Sequence, residues 1–367
     1  MASFFQRVSR KSLALKNRII KPKADEIQLL CEMMQTSPRG YAEAQDWAAQ
    51  FSQLLENNLL GRISKKDFAL IFAGLVSYRN TGVTPQISHI SLMRAYENSS
   101  GLMQELLHKI LFSEAIEKID HIESVFFGEI SAHEIEEILN ELDEQGYVVL
   151  PKGLQSNMVD ALVAEALKFD YVLRNAAIDE VDTANRKIDP ARPPKCVAAY
   201  AKSADVGSSQ LFNDFCNDPF LLHVASRHLK AKAYPIDSTL WYSFASGEPS
   251  ADAAQLFHYD LDTLRWLKVF VYLTDVGPDN GPHEYVSASH KPGTKPSQLM
   301  NREYARLEDH AVDEHCQLSR KTVCGSRGTV LIGDTRCLHK GNAVNSGYRL
   351  IFSPIYAASR IGYFHGV

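Results

Sequence analysis

No two of the six cysteines stand in a CxxC spacing: Cys31, Cys196, Cys216, Cys316, Cys324 and Cys337 are scattered along the chain. They read as reduced thiols in a cytosol-like compartment, and the cytoplasm is the expected location. No apolar run approaches the roughly 20 residues needed to span a bilayer, the best stretch being residues 68–76, so a membrane-spanning role is excluded. The N-terminus lacks the apolar core of a secretory signal. A basic excess is missing too. The 39 Lys and Arg are outnumbered by 44 Asp and Glu, a formal net charge of -5, which disfavours nucleic acid and leaves small molecules as the expected partners. What is present is bulk: 367 residues, 45% hydrophobic and 23% charged, enough for one large domain plus a smaller one.

The hydrophobic period divides the chain into three parts. Residues 1–23 form a basic arm, with Arg7, Arg10, Lys11, Lys16, Arg18, Lys21 and Lys23 and no acid before Asp25. It reads as a solvated arm, with a membrane-surface helix or a targeting signal as the alternatives. Residues 24–130 place apolar residues at three- and four-residue intervals over 41–60, 65–78 and 102–127, which predicts an all-α region. That region is a packing extension, or a surface for oligomerisation or partner contact. Residues 131–367 form the third part. Ser131 and Glu134 make an S-x-x-E capping box for a helix ending near Gly146, after which short strands and turns dominate. Strands are expected at 147–151, 239–244, 255–260, 266–276, 284–288, 328–333 and 349–356, with helices at 156–169, 219–229 and 297–315. The polar stretch 176–209, with three prolines, is expected to be a loop that gates a site. The fold class is α+β, with an antiparallel sandwich or jelly roll carrying an all-α N-terminal region.

His258-Tyr259-Asp260 lies in a β-type segment, where alternate side chains share a face, so imidazole and carboxylate point the same way. A lone H-x-D/E is weak evidence, and His121-Ile122-Glu123 is a second match. The expected helix there would turn those two side chains about 200° apart, so it is set aside. His339 is the plausible third partner of His258 and Asp260. Two histidines and one carboxylate with open positions are the facial triad of non-haem iron(II) oxygenases. A hairpin centred near Val344 would set Arg349 opposite His339. Its guanidinium suits a carboxylate held at one end while the other end chelates the metal.

These residues, with Leu273-Thr274-Asp275, Asn280-Gly281-Pro282, Ser287-Ala288-Ser289-His290-Lys291-Pro292-Gly293 and Gly333-Asp334, resemble the phytanoyl-CoA dioxygenase-like family over roughly residues 142–357. The resemblance implies a double-stranded β-helix, a cupin-like jelly roll with the metal at its mouth. It implies iron(II), 2-oxoglutarate as cosubstrate and O2, with release of succinate and CO2 and hydroxylation of a small molecule. His258, Asp260 and His339 would hold the iron, and Arg349 the far carboxylate of 2-oxoglutarate. Asp260 disfavours halogenation, because related halogenases lack that carboxylate. The competing reading is a catalytically silent jelly roll, or a cupin-like protein holding another metal or ligand.

Parity along 266–274 puts Leu267, Val269, Val271 and Leu273 on a face for helices and Trp266, Lys268, Phe270, Tyr272 and Thr274 inside the barrel. Lys268 therefore contacts cosubstrate or substrate, or makes a structural ion pair. Trp266, Tyr242 and Arg265 are weaker candidates for the cofactor end. His290 is expected to be structural. His283 stands where the family more often has an apolar residue, a departure without an account at this level.

Overall fold

The computed structural model describes residues 63–112, 114–174, 186–245, 254–300 and 306–362. The basic arm, the expected helix at 41–60 and residues 175–185 of the expected gate lie outside the described residues. The chain divides into two compact units, residues 1–103 with 364–367 and residues 104–363. The sequence pattern set its boundary later, at residue 130.

In the first unit the helices Lys65–Thr81 and Gln86–Ser99 pack on each other. Ser64 caps the former by accepting from the Asp67 N–H, and Gly82 ends it at φ 73°. At Gly74 an added Cβ would lie 2.4 Å from the Ser88 Cβ, so this helix contact depends on a missing side chain.

Residues 121–131 are not helical: β1 (His121–Ser124) and β2 (Gly128–Ser131) form an antiparallel hairpin turned at Val125-Phe126-Phe127, with Gly128 at φ 79°. Apolar residues at 122, 126, 127 and 130 satisfy a helical period loosely, but along β1 burial alternates residue by residue, which is the strand signature. The capping box at Ser131 and Glu134 forms as expected and starts the helix Ala132–Gln145, closed by Gly146 at φ 84°.

The remaining strands are β3 (Tyr147–Val149), β4 (Tyr171–Arg174), β5 (Ala198–Ala201), β6 (Tyr234–Phe244), β7 (Trp266–Tyr272), β8 (His283–Val286), β9 (Arg320–Val323), β10 (Val330–Gly333), β11 (His339–Gly341) and β12 (Tyr348–Ala357). Seven make one antiparallel sheet in the order β3-β10-β7-β12-β6-β5-β4, and three make a second in the order β11-β8-β9. The architecture is the expected jelly roll. Strand parity sorts the core. Leu267, Val269 and Val271 of β7, with Leu240 and Phe244 of β6 and Leu350 and Phe352 of β12, form the larger cluster with residues of the helices Ala132–Gln145, Ser156–Ala166, Gln210–Cys216 and Pro219–Leu229. Phe270, Tyr272, Tyr285, Val323 and Ile351 form the cluster between the sheets.

Three further expectations change. The stretch 176–209 is not all loop, since β5 pairs with β6 and the helix Ser203–Ser208 follows. The segment expected as one helix at 297–315 holds two short ones, Ser297–Met300 and Asp309–His315, with Leu307 extended against Phe257 between them. No hairpin joins His339 to Arg349. β11 pairs with β8, whereas β12 pairs with β6 and β7, so the intervening turn crosses between the two sheets.

Candidate metal centre

Residues 254–260 do not form a full strand but are anchored at two bridges, Phe257 to Leu307 and His258 to His339. The second is made by reciprocal backbone bonds, His258 N–H to His339 O at 2.9 Å and His339 N–H to His258 O at 2.8 Å. Those bonds fix the two imidazoles side by side, ring centroids 4.3 Å apart. A further backbone bond, Asp260 N–H to Thr335 O at 2.8 Å, holds the carboxylate next to them. His258 Nε2 lies 3.8 Å and His339 Nε2 3.7 Å from the Asp260 oxygens. One ligand atom from each residue falls within 4.8 Å of the others, and this is the only such group of three or more among the described residues.

The tautomers follow from the backbone. His258 Nδ1 is 2.9 Å from the Leu256 carbonyl and His339 Nδ1 is 2.9 Å from the Cys337 carbonyl, so each Nδ1–H donates to a carbonyl and each Nε2 keeps its lone pair for the shared centre. Burial pushes both imidazoles below their usual range, His258 far below it, which keeps them neutral and able to ligate. Burial alone would raise the Asp260 carboxyl. The Lys268 ammonium outweighs burial and holds it well below the usual carboxylate range.

His121 and Glu123 also share a face, because they lie on β1 rather than on a helix. That face is exposed, and no third ligand joins them among the described residues. The H-x-E is set aside on those grounds, not on the helical geometry expected from the sequence.

Around the triad is a cavity of about 210 Å³ lined by residues of both sheets. Arg349 reaches it from β12. Its Nη2 donates to the Ser243 hydroxyl at 3.3 Å, while its Nε and Nη1 are buried without a partner. Burial lowers its pKa, with only the Tyr272 and Tyr200 hydroxyls set against that effect. A buried fork-shaped cation with free N–H groups and no acid beside it fits a ligand carboxylate. A Cβ on Gly341 would come within 3.0 Å of Arg349 Nη2, so glycine leaves the guanidinium its room.

Lys268 also lines the cavity, where it is bound by Asp260 at 2.6 Å and Asp262 at 3.0 Å, the ion-pair alternative of the sequence reading. Tyr242 does not reach the cavity. Odd-numbered residues of β6, Thr239 and Trp241, face inward, and Tyr242 turns outward to pack on Tyr171 and Phe244. Trp266 is absent from the lining as well. It sits at the far end of β7, and its indole N–H donates to the Thr335 hydroxyl at 2.7 Å. Arg265 pairs with Glu105 at 3.5 Å and donates to the His228 carbonyl. His290 is buried beside Cys337, away from the lining.

His283 and Arg306 are among the lining residues to which the sequence reading assigned no role. His283 enters the cavity because it precedes by two residues Tyr285, the register partner of His339. Its Nδ1 is 3.0 Å from the Tyr272 hydroxyl, and burial holds the ring neutral. Its polar character in place of an apolar residue was the available signal. Arg306 was hidden by the helix expected at 297–315.

A jelly roll that gathers two histidines and a carboxylate around one point is the scaffold of the non-haem iron oxygenases. The chain belongs to the phytanoyl-CoA dioxygenase (PhyH) family, whose family model matches residues 142–350. The family uses iron(II), 2-oxoglutarate and dioxygen. Solved structures similar to this chain include the epimerase SnoN in complex with Fe3+, alpha ketoglutarate and nogalamycin RO, at 19% identity over 60% of this chain and 82% of that one, TM-score 0.44. HygX from Streptomyces hygroscopicus with nickel, 2-oxoglutarate and hygromycin B is 17% identical over 60% of this chain and 86% of that one, TM-score 0.43. EctD from S. alaskensis in its apoform is 21% identical over 68% and 81%, TM-score 0.44. No curated protein matches the chain. No helix among the described residues is long and apolar enough to cross a membrane.

Proposed function

We propose that the protein hydroxylates a C–H bond of a small molecule, coupled to conversion of 2-oxoglutarate to succinate and CO2. His258, Asp260 and His339 hold the iron, and Arg349 holds the far carboxylate of the cosubstrate. The observation that carries this reading is the pairing of a neutral two-histidine, one-carboxylate cluster with a buried, acid-free arginine in one cavity. Iron(II), held by these three residues, would bind the 2-oxo acid and activate dioxygen, the oxidant for an unactivated C–H bond.

The chain's own residues contribute position and dryness. The Leu256 and Cys337 carbonyls orient the imidazoles, and Lys268 steadies the Asp260 carboxylate. Ser243 orients Arg349 for the cosubstrate's far carboxylate, with apolar closure of the cavity from Phe270 and Ile355.

The test is an anaerobic titration of the purified protein with iron(II) and 2-oxoglutarate. The expected outcome is the visible charge-transfer band of a metal-chelated 2-oxo acid, followed by succinate release when oxygen and substrate are admitted. Ala at 258, 260 or 339 should each abolish the band, since each removes one of three protein ligands. Ala at 121 should leave it intact. A wild-type protein that never develops the band is the silent jelly roll instead.

A further inference from the structure

The cavity contains a second guanidinium that the proposed function leaves unused. Arg306 lines it, and its Nη1 is buried without a hydrogen-bond partner. Among the described residues no carboxylate pairs with it. Its position is fixed by its neighbour: Leu307 exchanges backbone bonds with Phe257, N–H to O at 2.7 Å and 3.0 Å, one residue before His258. Arg306 lies close enough to His258, His339 and Tyr200 for its charge to act on all three.

A guanidinium N–H held away from water without an acceptor is unfavourable, and a fold retains it where a ligand supplies the acceptor. The charges indicate which ligand. Lys268 is satisfied by Asp260 and Asp262. Taken together, the positive charges of iron(II), Lys268 and Arg349 equal the negative charges of Asp260, Asp262 and the 2-oxoglutarate dianion. The cosubstrate's near carboxylate chelates the metal, and its far one takes Arg349, which is buried to 2% exposure at the inner end. Arg306, half-buried on the segment beside the metal strand, then remains the one uncompensated cation among the described lining residues. The volume of about 210 Å³ is below the roughly 300–1,000 Å³ of pockets for drug-sized ligands, so what enters beside the cosubstrate is small.

We propose, resting on the dioxygenase reading, that Arg306 anchors the primary substrate and that this substrate is a small organic acid. Its carboxylate pairs with the guanidinium while the carbon to be oxidised lies over the triad. The near carboxylate of 2-oxoglutarate is the competing occupant, and the test separates the two.

Full-length wild-type protein, Arg306→Gln, Arg306→Lys and Arg349→Ala are loaded anaerobically with iron(II) and titrated with 2-oxoglutarate by the charge-transfer band. Each loaded protein is then titrated with acetate, propionate, butyrate and benzoate, and with the corresponding amides, following the shift of that band. Arg306→Gln should keep the wild-type affinity for 2-oxoglutarate within about twofold, while Arg349→Ala weakens it. The acids should shift the wild-type band and the amides should not. Arg306→Gln should bind the acids about 10- to 100-fold more weakly, the loss of one charge-assisted pair, with Arg306→Lys between. Three results overturn the proposal: weakening of 2-oxoglutarate by Arg306→Gln as severe as by Arg349→Ala, equal responses to acids and amides, or no response to any acid. A wild-type protein without a charge-transfer band points instead to failure of the dioxygenase reading.

Discussion

Asp334 has no exposed surface and is gripped from two sides, by Arg336 Nη2 at 2.5 Å and His228 Nε2 at 3.3 Å. Arg336 in turn reaches Glu105. Burial works to raise the Asp334 carboxyl, but the Arg336 guanidinium and the His228 hydrogen bond hold it well below the usual carboxylate range. A carboxylate with a depressed folded-state pKa stabilises the fold above its unfolded value of about 3.9, and that contribution is lost as pH falls through and below it. Asp334→Asn should therefore destabilise the protein at neutral pH by about 3 kcal/mol, at the lower end for a broken buried pair because Glu105 still faces Arg336. Urea denaturation at pH 7 and near pH 3 measures it. The gap between wild type and variant should narrow at the lower pH, and an unchanged gap would mean that the charge is not what matters there.

At the scale of strands, legibility depended on period and failed on pairing. Alternation in β7 correctly put Lys268 and Phe270 inside and Leu267, Val269 and Val271 toward the helices, because one buried face leaves a period of two in the residues themselves. The same reasoning applied to β6 would have turned Tyr242 outward, but parity has no origin until one inward residue is known. Trp266 had the right parity and the wrong height, which a one-dimensional pattern does not carry. The triad was legible because His258 and Asp260 sit two apart and His339 follows in a turn-rich segment. That His339 and Arg349 belong to different sheets was not, since the turn between them reads equally well as a hairpin or a crossover. This crossover makes Gly341 a sensitive position. Gly341→Ala places a methyl within 3.0 Å of Arg349 Nη2, and the far end of a long side chain gives way more readily than backbone. The expected result is weaker 2-oxoglutarate binding by roughly tenfold, with little change in melting temperature and iron still bound. Paired titrations with iron and with 2-oxoglutarate check it, and equal weakening of both would place the damage at the triad instead.

At the scale of the whole chain, the family match begins at residue 142, but the physical unit begins earlier. The hairpin of β1 and β2 sends Ile122, Phe126, Phe127 and Ile130 into the main core, and the Ser124 hydroxyl donates to the buried Asp218 at 2.6 Å. Glu105 pairs with Arg336 and Arg265, and His108 Nε2 meets the Leu229 carbonyl at 2.9 Å. Four buried apolar side chains contribute about 1.5–3 kcal/mol each, a sum comparable to the roughly 5–15 kcal/mol by which a native domain is stable at all. A chain begun at Gln104 retains every one of these contacts, whereas one begun at Ser131, where the sequence reading began its third region, loses them and takes Glu105 away from Arg336. The longer truncated chain should melt cooperatively and still develop the charge-transfer band with iron(II) and 2-oxoglutarate. The shorter one should show no cooperative transition by circular dichroism. If both melt alike, the hairpin is an appendage and the domain starts at the capped helix that Ser131 opens.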